Sequence, residues 1–289
     1  MFTCVAKASV DCDSNDDDCV EVGSWQLSVG IGAGIRTNPL VDAEDIPLIL
    51  IPRLSYQGEH FFIENLDVGF ILAENDNQQL NLFITPSYDQ VFFHRWDAGN
   101  FFIDGHGLGT SGTDGQVVDE DNNTNEEPQP GDKEPEFSSP SWREVDDRHM
   151  AGLAGVEYNV SWQTFEWQFH YLHDVTKIHN GDEARIALAK PWSSGKHRVL
   201  MSLGFSWQSR EIIQYYYGIS EEEADSNNRY TATDGISQIV RVDWNYKLTE
   251  SWDLRAFASV RHLPDAISAS PLVNDNKVIT AFVGGVYHF

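Results

Sequence analysis

Alternation is the feature that most constrains this chain. Trp25, Leu27, Val29, Ile31, Ala33 and Ile35 share one face, while Gln26, Ser28, Gly30, Gly32 and Gly34 share the other. The same period of two returns at Leu48, Leu50, Pro52, Leu54 and Tyr56, and again at Leu80, Leu82, Ile84, Pro86 and Tyr88. It continues through Met150–Tyr158, Phe165–Tyr171, Ala184–Leu188, Val199–Trp207, Val240–Tyr246 and Trp252–Val260. Successive strand side chains point to opposite faces, so this pattern makes strands with one apolar and one polar side. No helical period competes with it.

The opposite faces carry charge in mid-strand. Arg53, Glu157, Glu166, Arg185, Arg198, Arg241, Asp243, Lys247, Arg255 and Arg261 all alternate with apolar residues. Aromatic residues gather near the strand ends, among them Trp25, Tyr56, Tyr88, Tyr158, Tyr171, Trp207, Trp244, Tyr246, Trp252 and Tyr287. A secreted β-sandwich would also alternate. Aromatic girdles and repeated inward charge instead favour an all-β, antiparallel transmembrane barrel, with apolar faces toward lipid. The chain has no run of 18 apolar residues, so no transmembrane helix is expected. Its mean hydropathy of −0.38 suits a barrel, in which only every second residue meets lipid.

Counted back from Phe289, taken as periplasmic, the strands number twelve if Phe61–Glu64 and Val68–Glu74 are separate; ten is the alternative. Linkers at 158–161, 193–196 and 248–251 are short. Those at about 36–46, 173–181, 217–235 and 263–276 are longer, as outer loops of barrels are. The longest, about 96–147, is acidic and low in complexity, and we read it as a solvated extracellular loop. Residues 24–289 then form the barrel, and 1–23 an acidic periplasmic tail. Residues 1–22 lack a basic start and an apolar core. The chain is therefore expected to be mature, with Met1 an addition.

Charge excludes one class of partner. With 45 Asp and Glu against 19 Lys and Arg, a net of −26, the chain would repel a phosphate backbone, so nucleic acid is not a partner. The expected surroundings are outer-membrane lipid and lipopolysaccharide. The three cysteines are Cys4, Cys12 and Cys19. A Cys12–Cys19 bridge would suit an oxidising periplasm and leave Cys4 over; three free thiols are the alternative. No cofactor is expected, and the cysteines lack a zinc-type pair. The acidic runs Asp13–Asp18 and Asp119–Asn123 lack the glycine and closing glutamate of a calcium loop, so a solvated charge run is favoured.

Catalysis finds little support. No G-x-S-x-G occurs, and His170 and His173, three apart, would face opposite sides of a strand. The inward charges either cross-link and fill a narrow barrel or line a basic conduit. Filling is favoured, because both signs are present. Tyr215–Ser220 is expected to end the strand that begins near His197, as an aromatic girdle with a turn at Gly218.

Several stretches in order resemble the MipA/OmpV family of outer-membrane proteins, named for an interaction with a murein-degrading transglycosylase. They are Gly30–Gly34, Thr37–Leu40 with Ile46–Pro47, Arg148–Gly152, Tyr215–Ala224, Asp265–Val273 and Gly285–Phe289. The resemblance runs from about residue 24 to the end. Gly284, Tyr287 and Phe289 fit the usual barrel-insertion signal, whereas Phe282 stands where that signal prefers a polar residue. The acidic loop around 113–137 is longer and more charged than the family pattern. The resemblance implies a non-enzymatic scaffold or interaction protein, with periplasmic murein enzymes as partners. It also admits a small-solute channel or a surface adhesin or antigen.

Overall fold

The computed structural model describes residues 22–93, 142–143, 145–221, 223 and 229–289. The Cys12–Cys19 pairing and the acidic stretch 119–131 lie outside the described residues. Twelve antiparallel strands close on themselves. The first half comprises β1 (Ser24–Arg36), β2 (Ile46–Gln57), β3 (Phe61–Glu64), β4 (Asp67–Asn75), β5 (Gln78–Pro86) and β6 (Gly152–Trp162). The second comprises β7 (Phe165–Asp174), β8 (Asp182–Ser194), β9 (His197–Gln208), β10 (Gly235–Lys247), β11 (Trp252–His262) and β12 (Lys277–His288). The count is twelve rather than ten because β3 and β4 are distinct strands, paired with Phe61 opposite Phe70 and Glu64 opposite Asp67.

The outer surface inverts the usual distribution of a water-soluble protein. Phe70, Met201, Ile31, Val240 and Val283 are each more than half exposed, and all lie on outward positions. Such a continuous apolar face needs an apolar solvent. Five short connections lie at the end that holds Phe289, at 58–60, 76–77, 163–164, 195–196 and 248–251. The turn after β6 is at Gln163 and Thr164 rather than 158–161, with Gln163 in the left-handed region at φ 58°. The longer connections gather at the opposite end.

Closure is made by β1 and β12, with Gly32 opposite Gly284. The ring of Phe282 lies over both glycines, and a Cβ at Gly32 would run into that ring and into the Val283 carbonyl. Phe282 also stacks on Phe257, their ring centroids 5.7 Å apart, and packs with Ile46, Leu48 and Ile51 in the interior. Its departure from a polar preference thus fills the space that two glycines leave.

Leu48 corrects the sequence reading. It is 2% exposed and faces inward, while Ile49 is 54% exposed. The register of β1 against β2 shifts between Ile31 and Gly34, and the alternation of β2 changes phase there. A bulge of this kind is invisible to a strict period of two.

One stretch of wall is incomplete. β3 pairs with only Ser55–Gln57 of β2. Among the described strands, none pairs with residues 46–53 on the side away from β1. Asn65 closes the end of the ladder. Its N–H donates to the Leu54 carbonyl at 2.8 Å, and its Oδ1 accepts the Leu54 N–H at 3.1 Å. Two residues further along the same edge sits Pro52, which has no N–H to leave unpaired. Asn65 adopts φ 52°, which Asn tolerates better than most residues. Asn65→Ala should therefore destabilise the barrel by about 1–2 kcal/mol, from one lost hydrogen bond and the backbone conformation together. Urea unfolding of the detergent-folded protein checks this, and an unchanged midpoint would show that the cap is dispensable.

Candidate functional site

The period of two places alternate side chains of every strand in one narrow interior, where polar groups must find each other. Arg241 and Asp243 are two apart on β10 and therefore share a face. Arg241 Nε and Nη2 donate to the two Asp243 oxygens at 2.7 and 2.8 Å, and Arg255 Nη2 donates to Oδ1 at 3.0 Å. All three are buried, and the Arg241 guanidinium lies 4.3 Å over the ring of Phe257. On β8, Arg185 Nε and Nη2 each donate to Glu183 at 2.8 Å, and the Ser206 hydroxyl donates to the same carboxylate at 2.6 Å.

Glu157 is the third centre. Asn81 and Asn159 donate to its Oε1 at 2.7 and 2.8 Å, and Gln168 to Oε2 at 3.0 Å. His170 Nε2 lies 2.9 Å from that oxygen. Arg53 faces Glu64 at 3.6 Å. Glu166 and Arg198 lie on the same interior faces, nearer the Phe289 end. His170 is buried and the His173 side chain is half exposed, on opposite sides of β7. Paired in this way, Arg53, Arg185, Arg241 and Arg255 form two ion pairs and one triad rather than an unbroken basic stripe. Buried charges are tolerated when each has a partner of good geometry.

At the far end of this interior, the described parts of the long connections pack together as a lid. Residues 210–217 form a helix, α1 (Arg210–Tyr217), in place of the strand extension and girdle expected from sequence. Ile212, Ile213, Tyr216 and Tyr217 occupy one helical face and are each 1% exposed or less. The helix stops at Gly218, where a Cβ would collide with Gln214. These side chains pack with Val91, Phe92 and Phe93 around the short 3₁₀ helix Asp89–Phe92, and with Ile267 of α2 (Asp265–Ser268). Tyr88, placed at the membrane girdle by its spacing, is 8% exposed and belongs to this same core.

Polar side chains fasten the lid to the wall. Asp89 accepts from Gln208 Nε2 at 2.5 Å and from the Tyr217 hydroxyl at 3.0 Å. Burial, and then the nearby Asp89 charge, hold the Tyr217 phenol well above its ordinary range, so it remains a donor. Ser270 donates to the Tyr217 carbonyl at 2.6 Å, and Tyr216 to the His149 carbonyl at 3.0 Å. Arg148 joins Glu223 at 2.7 Å and donates to the Gly218 carbonyl at 3.2 Å. Sequence reasoning missed Asp89, Gln208 and Arg148. The one local signal was the spacing Ile212, Ile213, Tyr216, Tyr217 before a glycine, which is helical.

Loop 175–181 is tied by one carboxylate. Asp174 Oδ1 accepts from the Thr176 amide and hydroxyl, and Oδ2 from the amides of His179 and Asn180 at 2.7 and 2.9 Å. His179 stands 3.7 Å from that carboxylate but is not its ion-pair partner, because its Nδ1 accepts the Gly181 N–H at 3.0 Å. Burial outweighs the neighbouring carboxylates and lowers the pKa of His179. Among the described residues, no group of three or more His, Cys, Asp or Glu is arranged to hold a metal.

At the opposite end, Tyr287 meets Phe289 edge-to-face at 4.8 Å and Trp252 at 5.2 Å. The Phe289 N–H donates to the Leu27 carbonyl at 3.0 Å, and the residue is 75% exposed. Gly284 faces inward beneath the Phe282 ring.

A family model described as MltA-interacting protein MipA matches residues 29–289. The chain is 26% identical over 265 residues to a protein of Escherichia coli (strain K12) named "Putative outer membrane protein YiaT", covering 90% of this chain and 89% of that one. It is 23% identical over 266 residues to the MltA-interacting protein of the same organism, covering 91% and 90%. Among solved structures, a loop-deletion mutant of OmpT, an outer membrane protein of Vibrio cholerae, superposes with a TM-score of 0.35 at 9% identity. That match covers 93% of this chain and all of the other.

The neutral state of His179 gives a pH dependence with a definite sign. The unfolded loop takes up a proton near the ordinary value of 6.5, while the folded loop resists it. Stability is thus greatest above that value and falls as the pH drops below it. Protection factors of residues 175–181, with the intrinsic pH dependence of amide exchange divided out, should fall between pH 8 and pH 5, and His179→Gln should flatten that dependence.

Proposed function

Because this chain belongs to the MltA-interacting protein MipA family, we propose that it is a non-enzymatic outer-membrane barrel acting through its surfaces. Its role is to hold periplasmic enzymes of murein synthesis and degradation at the membrane. The observation that carries this reading is the match, over nine-tenths of both chains, to a protein named for its interaction with MltA. The interior supports it from the other side. Arg241 and Arg255 share Asp243, Arg185 pairs with Glu183, and the lid core packs at the end opposite Phe289. A barrel closed in that way has its working surface outside the lumen.

With Phe289 at the periplasm, the five short turns form the face presented to such partners. That face includes Glu59 and His60, Asp76, Lys196, and Leu248 through Ser251. Short turns fixed by the ladder offer a rigid platform without a motif of their own.

Crosslinking in native envelopes followed by recovery of the tagged barrel should bring down murein hydrolases or synthases. Replacing 248–251 and 58–60 with Gly-Ser turns should cut that recovery at least tenfold while the barrel still folds. Recovery of no murein enzyme would sink the proposal. In planar bilayers the protein should give no stable single-channel current; large, steady currents would favour a small-solute channel instead.

A further inference from the structure

Beneath the lid, between the 3₁₀ helix and strands β8, β9, β10 and β11, lies a cavity of about 90 Å³. It is lined by Asp89 and Tyr88 from the lid side and by Glu183, Arg185, Gln208 and Arg261 from the wall. Gly204, an inward position with no side chain, leaves room there.

The hydrogen-bonding capacity of this lining is unbalanced. Each of its carboxylates already accepts at least two hydrogen bonds. Glu183 accepts three bonds, two from Arg185 and one from Ser206. Asp89 accepts from Gln208 and Tyr217, with Arg261 Nη2 a further 3.7 Å away. The donors are not all spent. Arg185 uses Nε and Nη2 on Glu183, while its buried Nη1 has no hydrogen-bond partner, although the side chain is only 8% exposed. Arg261 gives Nη2 to Ser237 at 3.2 Å and keeps its guanidinium at the cavity, 22% exposed. The group left without a partner in this lining is a donor, Arg185 Nη1.

We propose that this cavity is a binding site for a small oxyanion, a carboxylate or a phosphate, held by Arg261 and, after a small shift of its side chain, by the unpartnered Nη1 of Arg185. A guanidinium edge suits such groups, because its N–H bonds fan out in the geometry of two oxygens. At about 90 Å³ the space is several times what one water needs, which admits a carboxylate with a short substituent or one phosphate group. Charge argues for selectivity rather than tight binding. The two arginines are offset by two carboxylates, so an entering anion meets a neutral lining and is recognised by its oxygens. The site also bears on the lid, since Asp89 belongs both to the cavity and to the bonds that fasten Tyr217.

The test uses the full chain folded in detergent, titrated with acetate, inorganic phosphate and chloride at matched ionic strength. Isothermal calorimetry and the thermal midpoint by circular dichroism are the readouts. Acetate or phosphate should bind saturably, in the millimolar range, and raise the midpoint more than chloride does. Whichever of the two saturates identifies the carboxylate or the phosphate as the ligand group. Arg185→Lys keeps the charge beside Glu183 but removes the spare N–H groups, and Arg261→Gln removes the second guanidinium. Each should weaken binding at least tenfold. If Arg185→Lys does not fold, Arg261→Gln, at the more exposed position, decides alone. Equal responses to all three anions, or unaltered binding in the variants, would overturn the site and leave a cavity that holds water only.

Discussion

Hydrocarbon offers no hydrogen bonds, so every backbone amide and carbonyl that crosses it must be paired within the protein. The twelve-strand closure of β1 on β12 is the answer to that constraint, and most other features follow from keeping it intact. The glycines at the seam let the backbones and the Phe282 ring come together where β-carbons would hold them apart. Where the ladder stops short above β3, the edge is managed residue by residue. Asn65 satisfies the last pair on Leu54, and Pro52, two residues on, has no N–H to leave unpaired. The same chemistry explains why the outward residues carry almost no other information. They need only be apolar, which leaves specificity to the interior and the two ends.

Most of the wall was legible in the sequence because its signal is local and repeated. Each strand states its own two faces, so the order, the pairing of neighbours and the split of 61–75 into two strands could be read by counting. Leu48 shows the limit of that method. A bulge changes the phase of the strand without changing its composition, and nothing in Ile46–Leu50 marks where the change falls. The lid was not legible for a different reason. Its helix is eight residues long, follows directly on a strand, and carries three tyrosines that look like an interfacial belt. What makes it a helix is burial against residues far away in the chain. Asp89 meets Gln208 across 119 positions and Tyr217 across 128. No window of sequence contains both partners, so the contact leaves no pattern to find.

The interior inverts the polarity of a soluble core, and that inversion decides how it can be stabilised. Charged and amide side chains cross-link strands: Arg255 on β11 reaches Asp243 on β10, and Gln168 on β7 reaches Glu157 on β6. Each such bond ties neighbouring strands beyond their backbone ladder. Arg241 and Arg255 also lie over the Phe257 ring, at 4.3 and 5.2 Å, so the ion triad and the apolar cluster beneath it share a surface. Filling and pairing are in that sense one arrangement. A basic conduit would require arginines free of carboxylates, whereas the Asp243 and Glu183 carboxylates hold three of them.

The two ends of the barrel are built by opposite means, and that asymmetry bears on how each can be used. The Phe289 end is made of turns too short to have cores, so its shape is set by the strands and its surface residues are unconstrained by packing. Change there alters what the surface presents without disturbing the fold. The lid end is a small hydrophobic core in its own right, held by hydrogen bonds between distant segments. Its residues answer to one another, and altering Asp89 or Tyr217 disturbs several contacts together. A partner-binding face is more readily varied on the first kind of surface, and a pocket that must keep its shape is more readily kept beneath the second. The proposed division between an interaction face near Phe289 and a cavity under the lid accords with how each end is held together.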